Sequence, residues 1–120
     1  MSTHLRVIPL LFLSILPIGV ARATAVPIIQ GYYYRGPGVS LIEPCGFKKG
    51  YWIGKAGSAA RLLFDQYDAL TRRDFEKVYV SLHGDFRDLR PSDGVPKEYA
   101  GVLKVTGVLA VRAPHDGDCK

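Results

Sequence analysis

The chain is 120 residues long, with 16 Lys or Arg against 11 Asp or Glu, a formal charge of +5, and 48% apolar or aromatic residues. At this length and composition it is one ordinary globular domain, with no repeat and no low-complexity tract. Arg6 and Arg22 belong to an export segment, and their loss lowers the +5 to +3, too little to argue for a nucleic-acid partner.

Residues 1–25 have the layout of a secretory signal peptide. Arg6 follows the free amino terminus, and no charge occurs from Val7 to Ala21. Fifteen residues at roughly 1.5 Å each reach about 22 Å, short of a hydrocarbon core of ~30 Å. Pro9, Pro17 and Gly19 weaken a long span further. Ala21-Arg22-Ala23 and Ala23-Thr24-Ala25 both suit cleavage, and the second is preferred. No cysteine lies near that site to carry a lipid. The expected product is residues 26–120, periplasmic or secreted, with no stable membrane anchor.

Along that product, Ile28 to Tyr34 reads as a strand closed by the turn signal Gly36-Pro37-Gly38. Val39 to Cys45 reads as a second, with Pro44 at an edge or bulge because proline cannot donate to a ladder. Gly46 to Gly50 is a turn, and Tyr51 to Gly54 a short third strand. From Ser58 the period lengthens: Ala59, Leu62, Leu63, Tyr67 and Leu70 make one apolar helical face. Ser58 is the expected N-cap, with Arg61–Asp65 and Asp68–Arg72 as i,i+4 pairs and Arg72 and Arg73 in the last turn.

Period two returns at Lys77 to Gly84, with Val78, Val80 and Leu82 facing inward. A polar loop from Asp88 to Lys97 leads to the last strand, Gly101 to Arg112. That strand turns Leu103, Val105, Leu109 and Val111 to one face, and Gly107 marks a bend or bulge. Three strands, a helix and two strands predict a mostly β fold: a small five-stranded OB-like barrel with its helix between strands 3 and 4. A different α+β sandwich or an open five-stranded sheet has the same order of elements.

Cys45 and Cys119 are the chain's two cysteines. An exported pair without CxxC spacing predicts a disulfide. Closing a 74-residue separation restricts the unfolded chain by roughly 4 kcal/mol. Neither a metal nor another cofactor is expected. His83 with Asp85 has no nucleophile motif beside it, and His115, Asp116, Asp118 and Cys119 read as a polar tail ending in the disulfide.

The best binding candidates are aromatic and cationic: the run Tyr32-Tyr33-Tyr34 with Arg35, and the Lys48-Lys49 turn before Tyr51-Trp52. Alternation along the strand sends Tyr33 to the face opposite Tyr32 and Tyr34. Tyr33, Lys48, Lys49 and Trp52 form the expected ligand surface, because OB-folds bind through the face of strands 2 and 3 and the adjacent loops.

Gly31-Tyr32-Tyr33-Tyr34, Ser40 with Pro44-Cys45, Tyr51-Trp52, Val78-Tyr79-Val80 with Gly84, and terminal Cys119 together resemble a set of small uncharacterised exported bacterial proteins. Those are distantly similar to the OB-like domain of an envelope-stress outer-membrane lipoprotein linked to copper and surface sensing. The chain lacks that lipoprotein's lipid-attachment cysteine and CxxC pair. The resemblance therefore implies the barrel and export, and speaks against a metal or sensing role. The expected function is an exported, non-catalytic binding or interaction module of the bacterial envelope, taking a glycan, a peptide or an envelope protein. The alternative is a small periplasmic enzyme or metal-handling protein on the same barrel.

Overall fold

The computed structural model describes residues 26–120, so the expected signal peptide lies outside the described residues. Its strands are β1 (Ile29–Gly36), β2 (Val39–Pro44), β3 (Tyr51–Ile53), β4 (Val78–Arg87) and β5 (Gly101–Arg112), with helix α1 (Ser58–Leu70) between β3 and β4. They close in the order β1-β2-β3-β5-β4 and back to β1. Every neighbouring pair is antiparallel except β3 with β5. This is the expected small five-stranded OB-like barrel, and the single-helix placement matches.

The β1–β2 hairpin turns on Pro37 and Gly38, where Pro supplies a fixed φ and Gly38 takes φ 70, a conformation that disfavours a side chain. Close pairing of the same strands at Gly31 depends on a missing side chain, since a Cβ there would strike the carbonyl of Glu43. Pro44 sits past the two-residue pairing of β2 with β3. The Cys45 amide bonds back to Gln30 O at 2.8 Å, and alternation points the proline nitrogen to the opposite, unpaired side.

Inside the barrel, Tyr33, Ile42, Ile53, Val80, Leu82 and Leu103 are fully or almost fully enclosed, with Leu63 and Tyr67 of α1 closing one end. The helix presents Ala60, Leu63 and Tyr67 inward, with Phe64 packed beside them. Leu62 and Leu70, expected on that face, are 44% and 46% exposed. The stripe is rotated because Phe64 and Tyr67 pack against Tyr33, at ring separations of 6.4 and 5.3 Å.

The helix ends also differ from expectation. Its N-cap is Gly57 at φ 98, not Ser58, with no side-chain cap; Thr71 is its C-cap. Arg72 and Arg73 lie beyond the helix rather than in its last turn. Among the described residues no ion pair joins Arg61 to Asp65 or Asp68 to Arg72; Asp68 instead stands 3.8 Å from Arg35.

Strand β5 corrects the inward series. Ser81 pairs with Ala110 but Leu82 with Val108, and His83 pairs with Gly107 but Gly84 with Val105. Leu109 and Thr106 are thus the extra residues of two successive bulges, one on each side of Gly107. Each bulge shifts the alternation by one, so the inward series runs Leu103, Val105, Val108, Val111. Leu109, read from strict alternation as core, is 51% exposed.

The predicted Cys45–Cys119 disulfide is formed, tying the end of β2 to the C-terminus. An intramolecular disulfide fits a non-reducing compartment.

Candidate functional site

Barrel geometry divides the aromatic run. Tyr33 points inward and is completely buried, with its hydroxyl 2.9 Å from Ser40 Oγ. Burial pushes its phenol up to about 12, partly opposed by the Ser40 bond. Tyr33 therefore cannot line a surface, and its expected binding role is withdrawn. Tyr32 and Tyr34 take the outer face, where Lys77 stands 5.9 and 5.5 Å from their ring centres and pairs with Glu43 at 3.1 Å. Burial and the nearby Glu43 raise the Tyr34 phenol as well.

Strand register builds a row on that outer face. Tyr34 stands opposite Leu41, Leu41 opposite Trp52, and Trp52 beside Val102. Leu41 and Val102 are buried, whereas Trp52 is half-buried and meets Tyr99, from the β4–β5 connection, with ring centres 6.0 Å apart. Trp52 keeps its expected place at the surface.

Lys48 and Lys49 are exposed but go elsewhere. Their turn places Phe47 over Tyr51 and Phe86, at 5.9 and 5.8 Å, and neighbouring strand residues point to opposite sides. The turn thus follows Tyr51 to the barrel mouth rather than Trp52 to the outer face. The expected surface of Tyr33, Lys48, Lys49 and Trp52 does not assemble.

What surrounds Trp52 is an open cleft of about 600 Å³ between the β1–β2 hairpin, the end of β3, and the C-terminal half of α1 with the segment after it. Trp52, Phe64 and Tyr67 supply its aromatic lining. Arg35, Lys55, Arg72 and Arg73 line it too, against the acids Asp68 and Asp74. Arg35 lies 4.4 Å over the Phe64 ring and faces Asp68, so one cation and one acid are engaged with each other. Among the described residues, Lys55, Arg72 and Arg73 have no carboxylate within ion-pair distance of their side chains.

The backbone that carries Arg72 and Arg73 is held from several sides. Their amides donate to Glu76 Oε2 at 3.1 and 3.4 Å, and Tyr67 Oη reaches the carbonyls of Glu76 and Arg35 at 2.7 and 3.2 Å. Phe75, at φ 64, donates its amide to Arg35 O and lays its ring where a Cβ on Gly36 would stand. A loop pinned in this way presents its side chains from a defined backbone, which lowers the ordering cost of binding.

Lys55, Phe64, Arg72, Arg73 and Tyr99 escaped the sequence reading of the surface. The adjacent arginines beside Asp74 were a visible signal, but helical periodicity assigned them to the helix end. Only the hairpin and loop meeting in space makes them neighbours of Trp52.

Some of the groups weighed for catalysis or metal binding have partners of their own. His83 Nδ1 is 3.3 Å from Pro27 O, and Asp85, exposed, pairs with Lys104 in strand register. Asp118 is bonded to Arg112, and Cys119 is in the disulfide. Among the described residues no group of three His, Cys, Asp or Glu stands together as a metal site.

Fold and site together define a small five-stranded barrel with an internal disulfide and an aromatic, cation-lined cleft beside β3. Comparison with protein families, with curated proteins and with solved structures finds no match to this chain.

Proposed function

We propose that the chain is exported to the periplasm or beyond and works as a non-catalytic binding module, taking a glycan, peptide or protein segment at the cleft beside Trp52. The observation that carries this reading is the position of Trp52. It is half-buried at the wall of a concave site that also holds three cations without carboxylate partners among the described residues. A ring in that position offers apolar contact area that a ligand can complete, and the cations fix orientation. The resemblance to exported bacterial envelope proteins and the intramolecular disulfide support the compartment.

Trp52 is the chain's one tryptophan, so its fluorescence reports this cleft directly. Envelope fractions from the native cell, separated into glycan and protein pools, are titrated against the purified protein. A saturable change with one pool, together with loss of capture of that pool by immobilised Trp52→Ala protein whose thermal transition stays cooperative, is the expected result. A Trp52→Ala protein that captures the same material as the parent removes the cleft from the function.

A further inference from the structure

Resting on that reading, we infer that the ligand of the Trp52 cleft is an acidic saccharide, with a sugar ring against Trp52 and its carboxylate held by Lys55, Arg72 and Arg73. Size decides first between a small ligand and a protein face. A cleft of about 600 Å³ lies within the roughly 300–1,000 Å³ of small-ligand sites. A stable protein partner needs about 800 Å² of surface on each side, more than one cleft of this kind presents.

Chemistry then decides the class. The lining sets the half-buried Trp52 ring, with Phe64 under Arg35 and the buried Tyr67 behind, among the cations Arg35, Lys55, Arg72 and Arg73. A pyranose matches such a wall, because its C–H bonds form an apolar, weakly positive face suited to the negative face of an aromatic ring, while its edge carries hydroxyls. Four cations face two acids, and Asp68 is already opposite Arg35 at 3.8 Å, so the lining has a net positive field. A neutral sugar leaves that field uncompensated. A carboxylate on the ring compensates it, and a guanidinium fork meets a carboxylate through two parallel hydrogen bonds. Asp74 offers an acceptor for ring hydroxyls.

The rest of the chain favours this cleft over its other exposed features. Lys48 and Lys49 adjoin the apolar cluster of Phe47 and Phe86 in a turn, and the acids Asp85 and Asp88 lie one and two residues from Phe86 in the chain. The Trp52 cleft combines concavity, an aromatic wall, cations without carboxylate partners among the described residues, and a pinned backbone.

The test titrates the purified protein with trigalacturonate, with neutral maltotriose and with hexaglutamate, following Trp52 fluorescence and calorimetric heat. Trigalacturonate is expected to bind saturably, to weaken as salt rises, and to bind at least about tenfold more weakly to the Arg72→Ser/Arg73→Ser variant, as loss of charge-assisted hydrogen bonds requires. Both substitutions keep the amides that bond to Glu76, so an unchanged thermal midpoint confirms the fold. No response to trigalacturonate, or equal binding by the double variant, overturns the inference. A response to hexaglutamate with none to trigalacturonate also overturns it, while leaving Trp52 as the site of a peptide-binding module. A Trp52→Ala variant that still binds native material overturns the module reading itself.

Discussion

Arg87, the last residue of β4, is held by Asp93 through two side-chain hydrogen bonds, Nη1 to Oδ2 at 2.9 Å and Nη2 to Oδ1 at 2.6 Å. The same Asp93 Oδ2 accepts the Arg90 amide at 2.7 Å, and Arg87 Nη1 also donates to Asp88 O. Arg112, the last residue of β5, repeats the arrangement atom for atom: with Asp118 through Nη1 and Nη2, with Ala113 O, and with the His115 amide on Asp118 Oδ2. Two adjacent strands thus leave the barrel through the same clasp. In each, the residue after the aspartate is left-handed, Gly94 at φ 65 and Cys119 at φ 63.

The first prediction concerns the clasp at Asp93. Its bonds to Arg87, and secondarily to the Arg90 amide, hold its carboxyl at about 2 in the folded protein. A depressed folded value means stability that is fully present above the unfolded carboxylate range, near 4, and is lost as pH falls toward about 2. Urea melts of the parent and Asp93→Asn should therefore differ by a constant amount above about pH 4 and converge toward pH 2. A difference independent of pH across that window would mean the clasp contributes through packing alone.

The second concerns the bridge. Cys119 adopts φ 63, a conformation uncommon for a residue with a Cβ, and it does so as the bridged residue next to the second clasp. Cys45→Ser/Cys119→Ser should lower stability by roughly 4 kcal/mol on the loop-entropy scale for a 74-residue separation. Native protein should show no free thiol until it is unfolded and reduced. Two thiols reacting in the native protein would contradict the structure.

The third separates the two faces of β5. Leu103→Ala removes a fully buried side chain and should cost about 2–5 kcal/mol, whereas Leu109→Ser alters an exposed bulge residue and should stay within about 0.5 kcal/mol. Comparable losses in urea melts would place Leu109 in the core and remove one bulge.

The fourth tests Tyr33. Tyr33→Phe leaves Ser40 Oγ without its partner in a buried position and should cost about 1–3 kcal/mol. Ultraviolet titration should show a late phenol near about 12 that is missing in Tyr33→Phe, with the Tyr34 phenol also above the ordinary value. Because the folded state holds the Tyr33 proton while the unfolded state releases it, stability should fall as pH rises from about 10 to about 12. In Tyr33→Phe that decline should be reduced.

Much of the barrel was legible in the chain because its signals are local. Alternation marked Val78, Val80 and Leu82, Pro37-Gly38 marked the hairpin, and the chain's two cysteines had each other as partners. The order of three strands, a helix and two strands pointed to the fold, but pairing is a long-range property, and β3 with β5 is parallel where local connections suggest nothing of the kind. Periodicity failed where tertiary packing shifted its phase: two bulges turned Leu109 outward, and contacts with Tyr33 rotated α1 so that Leu62 and Leu70 faced water. The cleft was the least legible part. Alternation required Tyr33 to face away from Tyr32 and Tyr34, yet which side was the core depended on closure of the barrel. Trp52 and Lys49 are three residues apart, but strand alternation and the turn at Phe47 send them to different surfaces. Arg35 comes from the end of β1, Lys55 from the β3–α1 connection and Arg72–Arg73 from the α1–β4 connection, and only closure of the barrel around Tyr33 and Tyr67 brings their charges to one wall.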